Sequence, residues 1–368
     1  MVAYGAFGWH MPVDLRFGAG CSDDVPTALG EHPALVLAFE PAERMALAPR
    51  WRTALRGRLV DWVSVPDGLS SLARARELAA RVWPRLAAAP GCTLIAVGGG
   101  TTLDLAKLLR CRPLAGGFDG LVAALRGEAP WPEMQRAPLW LLPTTAGTGS
   151  EVTRWATLWD TEAVPTLKRS FDEPWGHADR AFVDPALTLS CPAAVTRDCA
   201  LDALAHALEA LWNRHANPVS DRLAVQAARR VIAHLPELMS RPQALDLRTE
   251  LALAALEAGL AFSQTRTALA HALSYDLTLS QGVPHGLACA LWLPTAWTLA
   301  LGRDERIDAC LAEVFGAPAL FGPARLRAWL GELGVDASPD AFGITDAEAR
   351  VREALRSPRG RNFIGAAA

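Results

Sequence analysis

Leu94-Ile95-Ala96-Val97-Gly98-Gly99-Gly100-Thr101-Thr102-Leu103-Asp104-Leu105-Ala106-Lys107 is the stretch on which the fold of this chain turns. Its four leading residues form a short apolar run that reads as a buried strand, three glycines end it, and Leu103 to Leu109 carries helical spacing. A strand passing through glycines into a helix is one way an α/β unit meets a pyrophosphate. Gly98, Gly99 and Gly100 admit the ligand close to the backbone, and open N–H groups at the helix start favour its charge. Thr101 and Asp104 fall in the same turn. The run departs from the six-position glycine fingerprint of the Rossmann fold, so a tight strand-to-helix turn without ligand is the competing reading. A second segment, Pro143-Thr144-Thr145-Ala146-Gly147-Thr148-Gly149-Ser150-Glu151, also follows an apolar run. It offers the hydroxyls of Thr144, Thr145 and Thr148 at the carboxyl end of a strand, where α/β sheets hold cofactors.

Working outward, residues 34–39, 59–65, 139–142 and 181–183 are further strand candidates, separated by helical patterns such as 70–86 and 103–109. That alternation predicts a parallel, doubly wound sheet. Beyond residue 185 strand signals nearly vanish. Residues 196–212, 220–235, 247–262, 287–301 and 324–333 read as helices, with Asn217-Pro218 a clean stop before Ser220. The expected fold is α/β plus all-α: an N-terminal Rossmann-like, doubly wound parallel sheet over residues 1–185 and a C-terminal helical domain over residues 186–368.

The helical half carries the densest chemistry. Asp202 and His206 stand four apart in an Ala/Leu-rich run, so a helix stacks them on one face. His271 follows, and then His285 in the loop-like Gly282-Val283-Pro284-His285-Gly286. One carboxylate and three imidazoles suit Fe(II) or Zn(II) better than Ca(II) or a thiolate-held structural zinc. The plainer alternative is a helix-surface hydrogen bond between Asp202 and His206 beside two unrelated histidines. His10, His32, His177, His215 and His234 have no partners at ligand spacing and read as ordinary histidines. Cys199 and Cys289 flank proposed ligands, yet as small apolar helix residues they read as packing.

Composition excludes several classes. At 368 residues, 51% hydrophobic and 20% charged, with no long polar tract, the chain is globular and long enough for two domains. A net charge of −3 without a basic stripe gives no reason to expect nucleic acid. Met1 to Phe17 lacks a basic segment followed by an apolar core, so no signal peptide is expected, and no run suggests a membrane span. Seven scattered cysteines without metal-binding spacing read as reduced thiols, which makes a cytoplasmic location the expectation.

Gly98-Gly-Gly-Thr-Thr-Leu-Asp104-Leu-Ala-Lys107, Pro143 to Glu151, Asp202-Ala-Leu-Ala-His206-Ala-Leu-Glu209 and Pro284-His285-Gly286 resemble, in order and across almost the whole chain, the motifs of the iron-dependent (group III) alcohol dehydrogenases. The resemblance implies the fold shared with dehydroquinate synthase and glycerol dehydrogenase. It also implies a metal, Fe(II) or Zn(II), bound by Asp202, His206, His271 and His285, and NAD(H) or NADP(H) in the cleft between two domains. Members interconvert aldehydes and alcohols by hydride transfer at the nicotinamide. A dehydroquinate synthase-like lyase or a non-catalytic metal-binding protein are the rivals from other classes.

Local runs narrow the resemblance further. Arg154-Trp-Ala-Thr-Leu-Trp-Asp160, Ala216-Asn-Pro-Val-Ser-Asp221 and Thr267-Ala-Leu-Ala-His271-Ala-Leu-Ser-Tyr275 are similar to the phosphonoacetaldehyde reductases, which make 2-hydroxyethylphosphonate in phosphonate biosynthesis. A general alcohol dehydrogenase acting on small uncharged alcohols is the alternative. Where the family often has a histidine four residues after the one matched by His271, this chain has Tyr275, a candidate proton donor or a pocket-lining aromatic. A phosphonate calls for arginine or lysine: Arg266 is the first candidate, Arg154 the second, Lys168 and Arg169 weaker ones. Glu40, ending the run Leu35 to Phe39, is placed to accept from a ribose 2'-hydroxyl and to repel a 2'-phosphate. A small-molecule partner and a homodimer are expected.

Overall fold

A computed structural model of the chain describes residues 4–40, 45 and 47–366. The chain divides into two compact units, one of residues 12–145 and 150–190, the other of residues 4–11, 146–149 and 191–366. It crosses from one unit to the other between Ser190 and Cys191, five residues beyond the division expected at 185/186.

The first unit is built on ten strands: β1 (Asp14–Phe17), β2 (Ala34–Phe39), β3 (Leu59–Val65), β4 (Thr93–Gly98), β5 (Cys111–Pro113), β6 (Met134–Arg136), β7 (Leu139–Pro143), β8 (Trp155–Asp160), β9 (Leu167–Asp172) and β10 (Arg180–Val183). Six of them form one sheet in the order β1-β10-β7-β4-β2-β3, every neighbouring pair parallel. Helices α1 (Val25–Leu29), α2 (Leu47–Ala54), α3 (Leu72–Ala88), α4 (Gly100–Leu109) and α5 (Gly117–Arg126) supply the crossovers and flanks. β4 is buried at all six residues and β2 at five of six, as strands covered on both faces must be. On one face Val36, Ile95, Trp51, Trp140 and Phe182 belong to a single apolar cluster. α3 begins where the Ser71 hydroxyl accepts from the Arg74 N–H at 3.1 Å, two residues after the expected start.

The chain runs outward from β2 to β3 and returns to β4 on the other side of β2, which makes the β2/β4 junction the point where the winding reverses. Ligands of open α/β sheets bind beyond the carboxyl ends of the strands at such a point. Ala38 pairs with Val97 and Gly98 with Pro143. Glu40, Gly98 to Gly100 and Thr144 to Thr145 therefore leave the sheet side by side.

The strands that periodicity missed lie at the margins. β1 is short and half-exposed, and the antiparallel hairpin β8–β9 carries charged residues where an apolar alternation would be the sequence signal. Its buried Asp160 accepts from Arg126 Nε at 2.9 Å and Arg169 Nε at 3.2 Å, so the hairpin is fastened by ion pairs instead.

The second unit is helical: α6 (Ala193–Leu211), α7 (Pro218–Ser240), α8 (Leu245–Thr265), α9 (Leu269–Gln281), α10 (His285–Ala300), α11 (Glu305–Phe315), α12 (Gly322–Glu332) and α13 (Ala347–Arg356). α6 is apolar nearly all round and runs buried among α7, α8 and α10. α7 opens on a capping box, Asn217 with Ser220, and its first residue, Pro218, lies two residues before the start read from sequence. One expectation needs correcting: His285 is not in a loop but is the first residue of α10, because Pro284 takes an extended conformation that caps the helix. Among the described residues no single helix is long and apolar enough to cross a membrane.

Candidate functional site

Asp202, His206 and Glu209 follow one another at four- and three-residue spacing and so share one face of α6. His271 stands in the first turn of α9 and His285 at the start of α10. Gly286 makes their convergence possible: a Cβ there would overlap the Asp198 carbonyl of α6, so only glycine lets α10 begin this close. The Asp202 Oδ1 atom lies 3.5 Å from His271 Nε2, 3.8 Å from His206 Nε2 and 3.9 Å from His285 Nε2. Donors at the corners of a tetrahedron around an ion with bonds of 2.0–2.3 Å stand roughly 3.3–3.8 Å apart. Three imidazole nitrogens thus stand around one Asp202 oxygen at roughly that spacing, while the set whose donor atoms all lie within 4.8 Å of one another is Asp202, His271, His285 and Cys289, without His206.

Their wiring points the same way. Asp202 Oδ1 and His271 Nε2 are buried with no hydrogen-bond partner, a costly state for two polar atoms unless a cation answers both. Burial opposes ionisation of Asp202, but the His206, His271 and His285 rings outweigh it and hold the carboxyl below its usual range. Burial pushes His206 down to about 4, so its ring is neutral near pH 7. Carboxylate and neutral imidazole are the forms that metals bind. The His285 side chain is 35% exposed, which leaves the cluster open on that side.

Glu209 is a functional residue beyond those expected, and its place on the Asp202 face of α6 is the sequence signal for it. Its buried carboxylate accepts from His271 Nδ1 at 2.7 Å and from the Ala268 N–H at 2.8 Å. That bond orients the His271 ring with Nδ1 toward Glu209 and Nε2 toward Asp202 Oδ1, 3.5 Å away. Ser274 Oγ stands 3.5 Å from His285 Nδ1 and steadies the second ring in the same manner. Glu209→Gln is expected to weaken Zn(II) binding by about tenfold to a hundredfold. Isothermal titration of metal-stripped protein checks this, with circular dichroism confirming the fold.

Around the cluster, Phe262 stacks on His206 with ring centroids 4.1 Å apart, and Tyr275 lies parallel to His285 at 6.2 Å. The guanidinium of Arg359, a residue that no sequence pattern marked, sits 5.5 Å from the Tyr275 ring centroid while Arg359 Nη1 donates to Thr267 Oγ1 at 2.8 Å. Arg266 is exposed at the end of α8, in a left-handed conformation with φ 70°. Its carbonyl accepts from Asn213 Nδ2 at 3.1 Å. Arg154 is in the other unit, where its Nε pairs with Asp172 at 2.7 Å on the β8–β9 hairpin. Lys168 and Arg169 lie on the same hairpin.

In the sheet unit, Gly98 closes β4 and Gly99 precedes α4, whose first turn has no side-chain cap and no acidic residue. A Cβ on Gly98 would stand 2.5 Å from Thr102 Oγ1, so the turn needs glycine there. Asp104, expected among the cofactor contacts, has both oxygens engaged internally: Oδ1 accepts from Ser150 Oγ and Oδ2 from the Thr157 N–H, each at 2.7 Å. Lys107 is fully buried and donates to Ser150 Oγ at 2.9 Å and the Trp155 carbonyl at 2.6 Å. The threonine-rich segment divides. Thr144 and Thr145 stay at the sheet end, whereas Thr148 stands between Gly147, which is seated against Cys199 of α6, and Gly149, seated against Gly259 of α8. Glu40 is exposed directly after β2.

With this geometry in hand, comparison with known proteins gives two family matches in succession. Residues 12–185 match the iron-containing alcohol dehydrogenase model, and residues 196–351 match the C-terminal part of the Fe-containing alcohol dehydrogenase family. A long-chain-alcohol dehydrogenase 1 of Geobacillus thermodenitrificans (strain NG80-2) is 38% identical over 277 residues, covering 72% of this chain and 69% of that protein. A 1,3-propanediol dehydrogenase of Klebsiella pneumoniae is 36% identical, covering 49% and 46%. The chain spans about half to two-thirds of the length of the curated relatives it matches. In fold, it is similar to a sulfoacetaldehyde reductase from Bifidobacterium kashiwanohense solved with NAD+, with a TM-score of 0.86 at 24% identity over 98% of this chain and 95% of that one.

Proposed function

Because the chain belongs to the iron-containing alcohol dehydrogenase family, we propose that it reduces an aldehyde bearing a phosphonate to the primary alcohol, using a nicotinamide dinucleotide and a divalent metal. The observation that carries this reading is the convergence of His206, His271 and His285 on Asp202, with three buried atoms of these side chains, Asp202 Oδ1, His206 Nδ1 and His271 Nε2, lacking a hydrogen-bond partner. Iron or zinc at these donors supplies an electrophile for the carbonyl oxygen, with no change of its own oxidation state.

The chain's own residues take the remaining roles. Glu209 orients the His271 ring, and the buried helices keep bulk water from three of the four donors. Gly98, Gly99 and Gly100, with Thr101, Thr144 and Thr145, receive the dinucleotide at the sheet reversal. Glu40 beside them favours NADH, since a ribose 2'-hydroxyl donates to its carboxylate and a 2'-phosphate is repelled. Tyr275, whose ring lies parallel to His285, takes the role of proton donor to the product oxygen in this reading.

The phosphonate part of the reading calls for a cation in the helical unit. Arg359, beside Tyr275, is the first candidate and Arg266 the second; Arg154 is already paired with Asp172. A charged hydrogen bond of about 1.5–3 kcal/mol corresponds to roughly ten- to hundredfold in kcat/KM. NADH and NADPH oxidation should be followed with phosphonoacetaldehyde and with propanal, adding Fe(II) or Zn(II) to metal-stripped protein. The expected result is a preference for NADH and for the phosphonate, with Arg359→Ala losing ten- to hundredfold on the phosphonate and little on propanal. An equal loss on both substrates makes Arg359 a packing residue, and a parent enzyme that prefers propanal returns the chain to the dehydrogenases of uncharged alcohols.

A further inference from the structure

Cys289 is the one group in the metal cluster that the preceding reading leaves without a task. It lies one turn after His285 on α10, and its thiol is buried. Its Sγ is 3.8 Å from His285 Nε2. One donor atom each from Asp202, His271, His285 and Cys289 can be chosen so that all four lie within 4.8 Å of one another. Two of these, Asp202 Oδ1 and His271 Nε2, are the buried atoms without partners. The thiol is therefore aimed at the same point as the carboxylate and the two rings, on the side of the cluster formed by α10.

We infer that Cys289 is a metal donor of this site, which makes the set one carboxylate, imidazoles and one thiolate. The inference rests on the reading that the site holds a divalent metal. On coordination the S–H bond breaks, its proton leaves to solvent, and a sulfur–metal bond forms; no electron is transferred. Five side chains then compete for an ion that prefers four protein ligands or fewer, and the soft sulfur tilts the set toward zinc or cobalt over iron. Sulfur and substrate oxygen also compete for the same open position. The thiolate closes the sphere when no substrate is present and is the ligand that gives way when one arrives.

Cobalt(II) titrated into the metal-stripped full chain tests this without reference to turnover. Thiolate coordination gives an intense near-ultraviolet charge-transfer band beside the weaker visible bands of the ion. The parent protein is expected to show both, Cys289→Ala and Cys289→Ser the visible bands alone, and Cys199→Ala both. Competition titration is expected to show Zn(II) held at least about tenfold more weakly by Cys289→Ser than by the parent. Visible bands without the charge-transfer band in the parent overturn the role of Cys289 and leave the metal site standing. A charge-transfer band that survives in a folded Cys289→Ser protein overturns it too. Failure of the parent to take up cobalt or zinc at all overturns both readings.

Discussion

Asp202→Asn is expected to yield a folded protein that retains no stoichiometric Fe(II) or Zn(II) and reduces aldehydes at least about a thousandfold more slowly, equivalent to roughly 4 kcal/mol or more of lost transition-state stabilisation. The carboxylate is the only formal negative charge among the four proposed ligands, and it faces three imidazole nitrogens within 3.9 Å. Asparagine keeps the shape and one oxygen but removes the charge that offsets the ion. Without metal, the three rings still hold the carboxyl below its usual range, so its charge stabilises the fold at neutral pH and the stripped variant should melt somewhat lower than the stripped parent. The parent should gain thermal stability on adding zinc, and the variant should not. Elemental analysis after dialysis and melting with and without zinc decide the matter. A variant that keeps one metal per chain would remove Asp202 from the ligand set.

Lys107→Met carries the largest expected effect on stability, a loss of about 3–5 kcal/mol, the usual result of deleting one partner from a buried charged group. The ammonium is fully buried, anchors the Ser150 hydroxyl and the Trp155 carbonyl, and faces Asp104 and Glu151. Burial holds Glu151 up at about 7 and raises Asp104 even though Lys107 acts against both shifts. Methionine fills the space but leaves the acids without their cation. Burial also holds Lys107 down at about 8 against 10.5 in the unfolded chain. Between those values the unfolded chain binds more protons, so the lysine's contribution to stability rises with pH. Urea unfolding should therefore show a gap between parent and variant that widens from pH 8 to pH 10.5. A variant as stable as the parent would mean that Lys107 does not hold this unit together.

Much of the architecture was legible because the governing signals are local. The β4 run ending in Gly98 to Gly100, the Asn217-Pro218 break between two helices, and the apolar repeat of α6 each declare themselves within a dozen residues. The Asp202 and His206 pair was readable for the same reason, since helical spacing alone puts both on one face. What escaped depends on contacts distant in sequence. Glu209 gains its meaning only when α9 arrives to offer the His271 ring, and Arg359 is 84 residues from the Tyr275 it faces. The β8–β9 hairpin escaped because its buried residues include Asp160, held by Arg126 and Arg169, where a periodic apolar pattern was the signal sought. The start of α10 was read two residues late, leaving His285 in a loop, because a proline before a histidine looks like a turn until it is seen to cap a helix. Asp104 sits in the right turn, yet its carboxylate faces inward to Ser150 and Thr157, a choice that no spacing rule encodes.

The proposed ligands Asp202, His271 and His285 come from three separate helices, and a cation among them would satisfy the Asp202 oxygen and His271 nitrogen that lack hydrogen-bond partners. Such an ion works as a rivet as well as a reagent. A chelator that strips it silences chemistry and also frees α9 and α10 from α6, raising the population of partly opened chains that proteases attack. In a cell short of transition metal, the lifetime of this polypeptide would then fall together with its turnover, and its abundance would report on metal supply.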